Sequence, residues 1–121
     1  MRDYTPYLQD LEVSLSVMDA DVRAARFLLA LSYVAQDLVS AEHKLILTDN
    51  LVEVTFADLM SKVPDDCKTA DTKKAWIHRQ PEYMESVEKY ARAKSQADYL
   101  KRLNALFDSA HVYNRQKAIK E

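Results

Sequence analysis

No glycine occurs anywhere in these 121 residues. Average usage is about 7%, and glycine is the residue that positive-φ turns and close backbone approaches to a ligand rely on. Its absence excludes the GxGxxG and GxxxxGK[ST] loops that cradle nucleotide phosphates. It also removes the Asn-Gly and Asp-Gly corners of tight β-hairpins. Helices joined by turns of Asp, Asn, Thr and Pro are what such a chain can build. Hydrophobic residues at 48% and charged residues at 30% suffice for one modest core and lie outside the disordered class. The expectation is an all-α fold in a single helical domain, residues 1–121.

Four helices can be placed. Thr5-Pro6 reads as a start, with threonine at the cap and proline in the first turn, and Tyr7, Leu8, Leu11 and Leu15 carry an apolar face to about Ser16. A second start falls near Asp19 or Asp21, where a carboxylate suits free amides and the positive end of the dipole. A helical period then runs from Val22 to Leu47 and resumes at Leu51, Val52, Val54, Phe56, Leu59 and Met60. The intervening Thr48-Asp49-Asn50 favours turns and β-branched residues follow it. One long helix, kinked or straight, ending before Pro64 is the favoured reading; a break or a short strand is the alternative. VPDDCK, 63–68, is a linker between an acidic half, 1–62, and a basic half, 69–121. Thr69 with Asp71 or Thr72 opens a short helix carrying Ala75, Trp76 and Ile77, which must stop before Pro81. Pro81-Glu82 opens a last helix with no breaker to the chain end.

That last helix carries a broad apolar face: Val87, Tyr90, Ala97, Leu100, Leu103, Phe107 and Ala110. Two helices roughly 45 to 55 Å long, at about 1.5 Å per residue, could not bury both stripes if they extended past one another. The expected architecture is an elongated helical hairpin or bundle of two long and two short helices, oligomerising through the C-terminal helix.

Charge is unevenly divided along the chain. Residues 1–60 hold four Lys and Arg against ten Asp and Glu, and residues 61–121 hold thirteen against nine. One reading is ordinary solvated helix surface. The other is an electropositive surface built on Lys68, Lys73, Lys74 and Arg79 that meets a polyanion, repeated around an oligomer because so few cations give little affinity alone. Trp76 and Tyr83 divide in the same way, either core anchors or platforms on which unpaired bases stack.

Catalytic and metal chemistry find no pattern in the sequence. His43, His78 and His111 have no spacing that presents two ligands on one helical face. Cys67, the one cysteine, lies in a turn-like stretch with no motif around it. No enzyme, cofactor or metal is expected. With no apolar run long enough to span a bilayer and no disulfide possible within the chain, the cytoplasm is the expected location.

The second half, KTADTKKAWIHRQPEYMESVEKYARAKSQADYLKRLNALFDSAHVYNRQKAIKE, resembles the small helical recombination mediator proteins of tailed bacteriophages, the UvsY-like group. The matching positions are Lys68-Thr69, Lys73-Lys74, Pro81 and Tyr83, the ADYLKRLNAL helix from Ala97, and Arg115 with Lys117. Upstream, where the family carries a cationic DNA-contact segment, this chain has only Lys44. The resemblance implies a homo-oligomer that binds single-stranded DNA and helps load a RecA-type recombinase onto strands covered by single-strand-binding protein, in the host cytoplasm if the chain is of phage origin. DNA contact is then expected at Lys68, Lys73, Lys74, Trp76, Arg79, Tyr83, Arg115 and Lys117. The alternative function is a helical interaction module, a regulator or inhibitor that meets a basic partner protein through its acidic first half. A structural virion protein is a third.

Overall fold

The computed structural model of the chain describes residues 1–12 and 19–120. The fold is all-α. Its helices are α1 (Thr5–Asp10), α2 (Ala20–Met60), α3 (Ala70–His78) and α4 (Pro81–Lys120), the two long ones packing against each other.

α1 departs from the expected pattern. Its N-cap is Tyr4, not Thr5, and the cap makes no side-chain bond. The Thr5 amide instead donates to the Asp3 carboxylate at 2.9 Å, and the hydrogen bonds from Thr5 hold the Asp3 carboxyl below its ordinary range. The helix ends at Asp10 rather than near Ser16; the expected continuation through Leu15 lies outside the described residues. Asp10 is buried and committed to tertiary partners. Its carboxylate accepts from Arg26 Nε and its carbonyl from Arg23 at 2.9 Å.

α2 runs unbroken through Thr48-Asp49-Asn50, so neither a break nor a strand forms there. Thr48 is buried, and its hydroxyl donates back to the carbonyls of Lys44 and Leu45 at 2.9 and 3.0 Å. That back-bond removes the cost of an unpaired hydroxyl inside a helix interface. The helix stops at Met60, short of the Pro64 limit.

The described residues divide into two compact units, residues 1–40 with 98–121, and residues 41–97. The cut crosses both long helices and not the 63–68 linker, because antiparallel helices pair residues remote in sequence. In the first unit Phe27 of α2 stacks on Phe107 of α4, centroids 6.0 Å apart, and His111 Nδ1 lies 2.8 Å from the Ala24 carbonyl. Ala20, Ala24, Ala30 and Val34 of α2 and Leu100, Leu103 and Phe107 of α4 are all buried in this unit. The N-terminal segment closes over it: Tyr4 is 2% exposed, and its hydroxyl donates to the Asp37 carboxylate. Arg2 lies over the Tyr33 ring at 4.2 Å and donates to Gln36 at 2.9 Å. The core of the second unit has smaller residues, with Ala41, Ala93 and Ala97 beside Leu59 and Ile77.

The stripe expected to join copies through α4 is covered by the chain itself. Ala97, Leu100, Leu103 and Phe107 are at most 4% exposed, Tyr90 and Ala110 are half-buried, and only Val87 remains in the open. The turn through 61–69 and α3 bring α4 back alongside α2, so the two helices pair instead of running past one another. The exposed apolar residues lie elsewhere. In the first unit α2 presents Val22, Leu28, Leu29 and Val39 to solvent.

Candidate functional site

α3 is the element that arranges the connector. Thr69 caps it with a reciprocal box: the Thr69 hydroxyl accepts from the Thr72 amide, and the Thr72 hydroxyl from the Thr69 amide, both at 3.1 Å. Such a box satisfies two amides that the helix start leaves free. Ile77 anchors the helix with no exposed surface. At the other end Arg79 Nε donates to the Ala75 carbonyl at 3.2 Å, and Gln80 to the Trp76 carbonyl at 2.9 Å.

Six of the eight expected DNA-contact residues fall in this second unit: Lys68, Lys73, Lys74, Trp76, Arg79 and Tyr83. Lys68 and Lys73 line one surface cavity of about 330 Å³, together with Asp65 and Cys67. Lys74 and Arg79 are exposed. Arg115 and Lys117 lie in the first unit, where the Lys117 ammonium is 5.8 Å from the Tyr113 ring centroid.

The aromatic residues are less free than the cations. Trp76 is half-buried, between the core and platform readings. Tyr83 is half-buried as well: Phe56 of α2 meets its ring edge-on at 6.1 Å, and the His78 imidazole stacks on its face at 4.9 Å with planes 2° apart. One face of Tyr83 is therefore already occupied, and it is His78, exposed above it, that offers a ring to solvent. Beside this stack Met84, Val87 and Ala91 floor a groove of about 360 Å³, with Glu88 on its rim.

A third concavity was not read from the sequence. Lys44 and Thr48 of α2 meet Lys89 and Arg92 of α4 around a cleft of about 230 Å³. Lys89 pairs with Glu85 at 3.3 Å, and Arg92 with Glu88, one turn back on the same helix. Lys44 had no basic neighbour along the chain, so its convergence with Lys89 and Arg92 is tertiary and leaves no local signal.

No match to this chain was found among protein-family models, curated proteins or solved structures.

The fold redistributes charge. Residues 41–97 hold nine Lys and Arg against ten Asp and Glu, and residues 1–40 with 98–121 hold eight against nine. The opposite signs of the two halves of the chain thus cancel within each unit, and electropositive character survives only as local clusters. Among the described residues no group of three His, Cys, Asp or Glu side chains is placed to hold a metal ion. None of the described helices is long and apolar enough to cross a membrane.

Proposed function

We propose that the chain is a recombination accessory protein of the phage mediator type, binding single-stranded DNA without catalysis and assisting a RecA-type recombinase against single-strand-binding protein. The observation that carries this reading is the meeting of Lys68 and Lys73 at one cavity on a capped helix that also bears exposed Lys74 and ends at exposed Arg79. Phosphates rest on those cations, and His78 supplies the ring against which a base packs, since Tyr83 is engaged from behind. Each subunit offers few cations, so useful affinity comes from several subunits on one strand. Copies meet through the open apolar face of α2 in the first unit, the α4 stripe being covered.

The test is fluorescence anisotropy of labelled oligonucleotides. Salt-sensitive binding to single strands at about 50 mM salt, weakened by Lys68→Ala with Lys73→Ala, is the expected result. No binding under those conditions rejects the nucleic-acid reading.

A second reading is an interaction module for another protein, and the same α2 face favours it. Between Val22 and Ser40 the charged residues are Arg23, Arg26 and Asp37. Arg23 and Arg26 are engaged by Asp10, and Asp37 by Tyr4. The outer face is therefore uncharged, with Ser32, Gln36 and Ser40 exposed among its apolar residues. A stoichiometric protein partner retained on the chain after nuclease treatment would support this reading over the first.

A further inference from the structure

We infer that the surface of α2 and α4 beneath the N-terminal segment is a docking groove for a helix of another protein, and that residues 2–10 occupy it as a displaceable stand-in. The partner that fits carries two aromatic residues three apart and a carboxylate three further on. This groove is separate from the Lys68 and Lys73 cavity, which lies in the other unit.

The N-terminal segment grips through one side only. Tyr4 and Asp10 are buried and Tyr7 is half-buried, whereas Arg2, Asp3, Thr5, Pro6 and Gln9 are exposed. Tyr4, Tyr7 and Asp10 are spaced so as to share one face of a helical turn. Their partners are all on the two long helices. Both tyrosine rings lie 6.3 Å from Phe107, Tyr7 lies 6.3 Å from Tyr33, and the Tyr4 hydroxyl donates to Asp37. Asp10 accepts from Arg26 on its carboxylate and from Arg23 on its carbonyl.

Apart from these contacts α1 has little to hold it. It is six residues long and its cap makes no side-chain bond, well short of a helix that persists alone. Terminal segments of this kind open at a lower free energy than the core beneath them. The groove orders the segment, and another helix with the same face competes for the same contacts.

The fit at the acidic end is incomplete. Arg23 is 8% exposed, and its Nε finds no acceptor among the described residues. A buried donor without an acceptor is destabilising. Asp10 gives its carboxylate to Arg26 and offers Arg23 only a backbone carbonyl. A glutamate in that place reaches one methylene farther, and its two oxygens serve both guanidinium groups. The other end of the groove selects a phenol, because Asp37 accepts a hydroxyl and repels an anion. A protein helix meets both demands, and a polyanion does not.

The probe is a labelled peptide of residues 1–12, with its Asp10→Glu and Asp10→Asn forms, titrated by anisotropy into full-length chains. Wild type is compared with Tyr4→Ala, Asp10→Ala, in which the resident segment is loosened. A tethered occupant excludes a competitor from its own groove, so the peptide is expected to bind the variant about tenfold or more tighter than wild type. On the variant, the Asp10→Glu peptide is expected to bind tightest and the Asp10→Asn peptide weakest. Adding Arg26→Gln to that variant should reduce the difference. Amide hydrogen exchange of the wild type supplies a second readout: the Tyr7 and Leu8 amides, which donate to the Tyr4 carbonyl, should exchange faster than those of Phe27 and Leu103.

No peptide binding to the variant, or equal binding to variant and wild type, overturns the groove. Equal affinity of the three peptides overturns the acidic partner. Exchange of Tyr7 and Leu8 only together with the core, or loss of helicity in the variant, would make the segment a fixed part of the core and overturn the proposal as well.

Discussion

Tyr4 shows how much a single side chain far from any candidate site can organise. Its ring meets Phe107 at 6.3 Å, and its hydroxyl donates to the carboxylate of Asp37, 33 residues along the chain. Burial, then the adjoining Asp37, push the Tyr4 phenol above its ordinary range, because ionisation would strand a second negative charge beside the first. The unfolded phenol titrates near pH 10. Above that point the folded chain holds a proton that the unfolded chain has lost, so stability falls as pH rises. Below about pH 10 the contribution is complete. Tyr4→Phe should lower stability by about 1 to 2 kcal/mol at neutral pH, since it leaves the half-buried Asp37 without its donor. The gap between the two proteins should then narrow above about pH 10. Urea midpoints measured across pH 7 to 11 check this, and parallel curves for the two proteins would refute it. Nothing near Tyr4 in sequence announces Asp37, which is why the pairing was not legible before the fold.

At the scale of the element, the sequence was informative wherever the cause is local. The threonine pair at Thr69 and Thr72 and Pro81 each act within one turn, and α3 begins, α3 stops and α4 begins where those residues require. Thr69→Ala removes the box acceptor and should destabilise the chain by about 1 kcal/mol, while Thr69→Ser should retain most of it. Chemical denaturation at a fixed slope measures both, and equal stability of the alanine and wild-type chains would mean that α3 is held by Ile77 alone. Sequence reasoning was weaker where tertiary partners decide. α1 starts one residue early because Asp3 supplies the acceptor that Thr5 was expected to supply. It stops early with Asp10 turned inward onto Arg23 and Arg26. Thr48-Asp49-Asn50 looked like a turn, yet Thr48 bonds back to its own helix and faces the interior.

For the whole molecule, the decisive quantities are pairings between remote residues, and these reverse two inferences drawn from linear order. The acidic and basic halves of the chain fold into each other, so each compact unit is left close to neutral. The apolar stripe of α4, which by itself called for a second copy, is satisfied by α2. Self-association must then depend on what the intramolecular core leaves uncovered. In the first unit that is the α2 face holding Leu28 at 55% and Val39 at 70% exposure, eleven residues and so about three turns apart. These two positions lie on one side of the helix, away from Phe27 and Val34 in the core, so lysine there adds charge without touching the interior. If copies meet at this face, wild-type chain at micromolar concentration has a multi-copy mass by light scattering. Leu28→Lys with Val39→Lys should reduce it to that of one chain, 13.9 kDa, with helicity unchanged. Oligonucleotide affinity should fall in the same variant, because the contacts of each subunit no longer add along a strand. A single-copy wild type that still binds oligonucleotides would separate the two properties and reject assembly as the source of affinity. A multi-copy variant would reject this face as the interface.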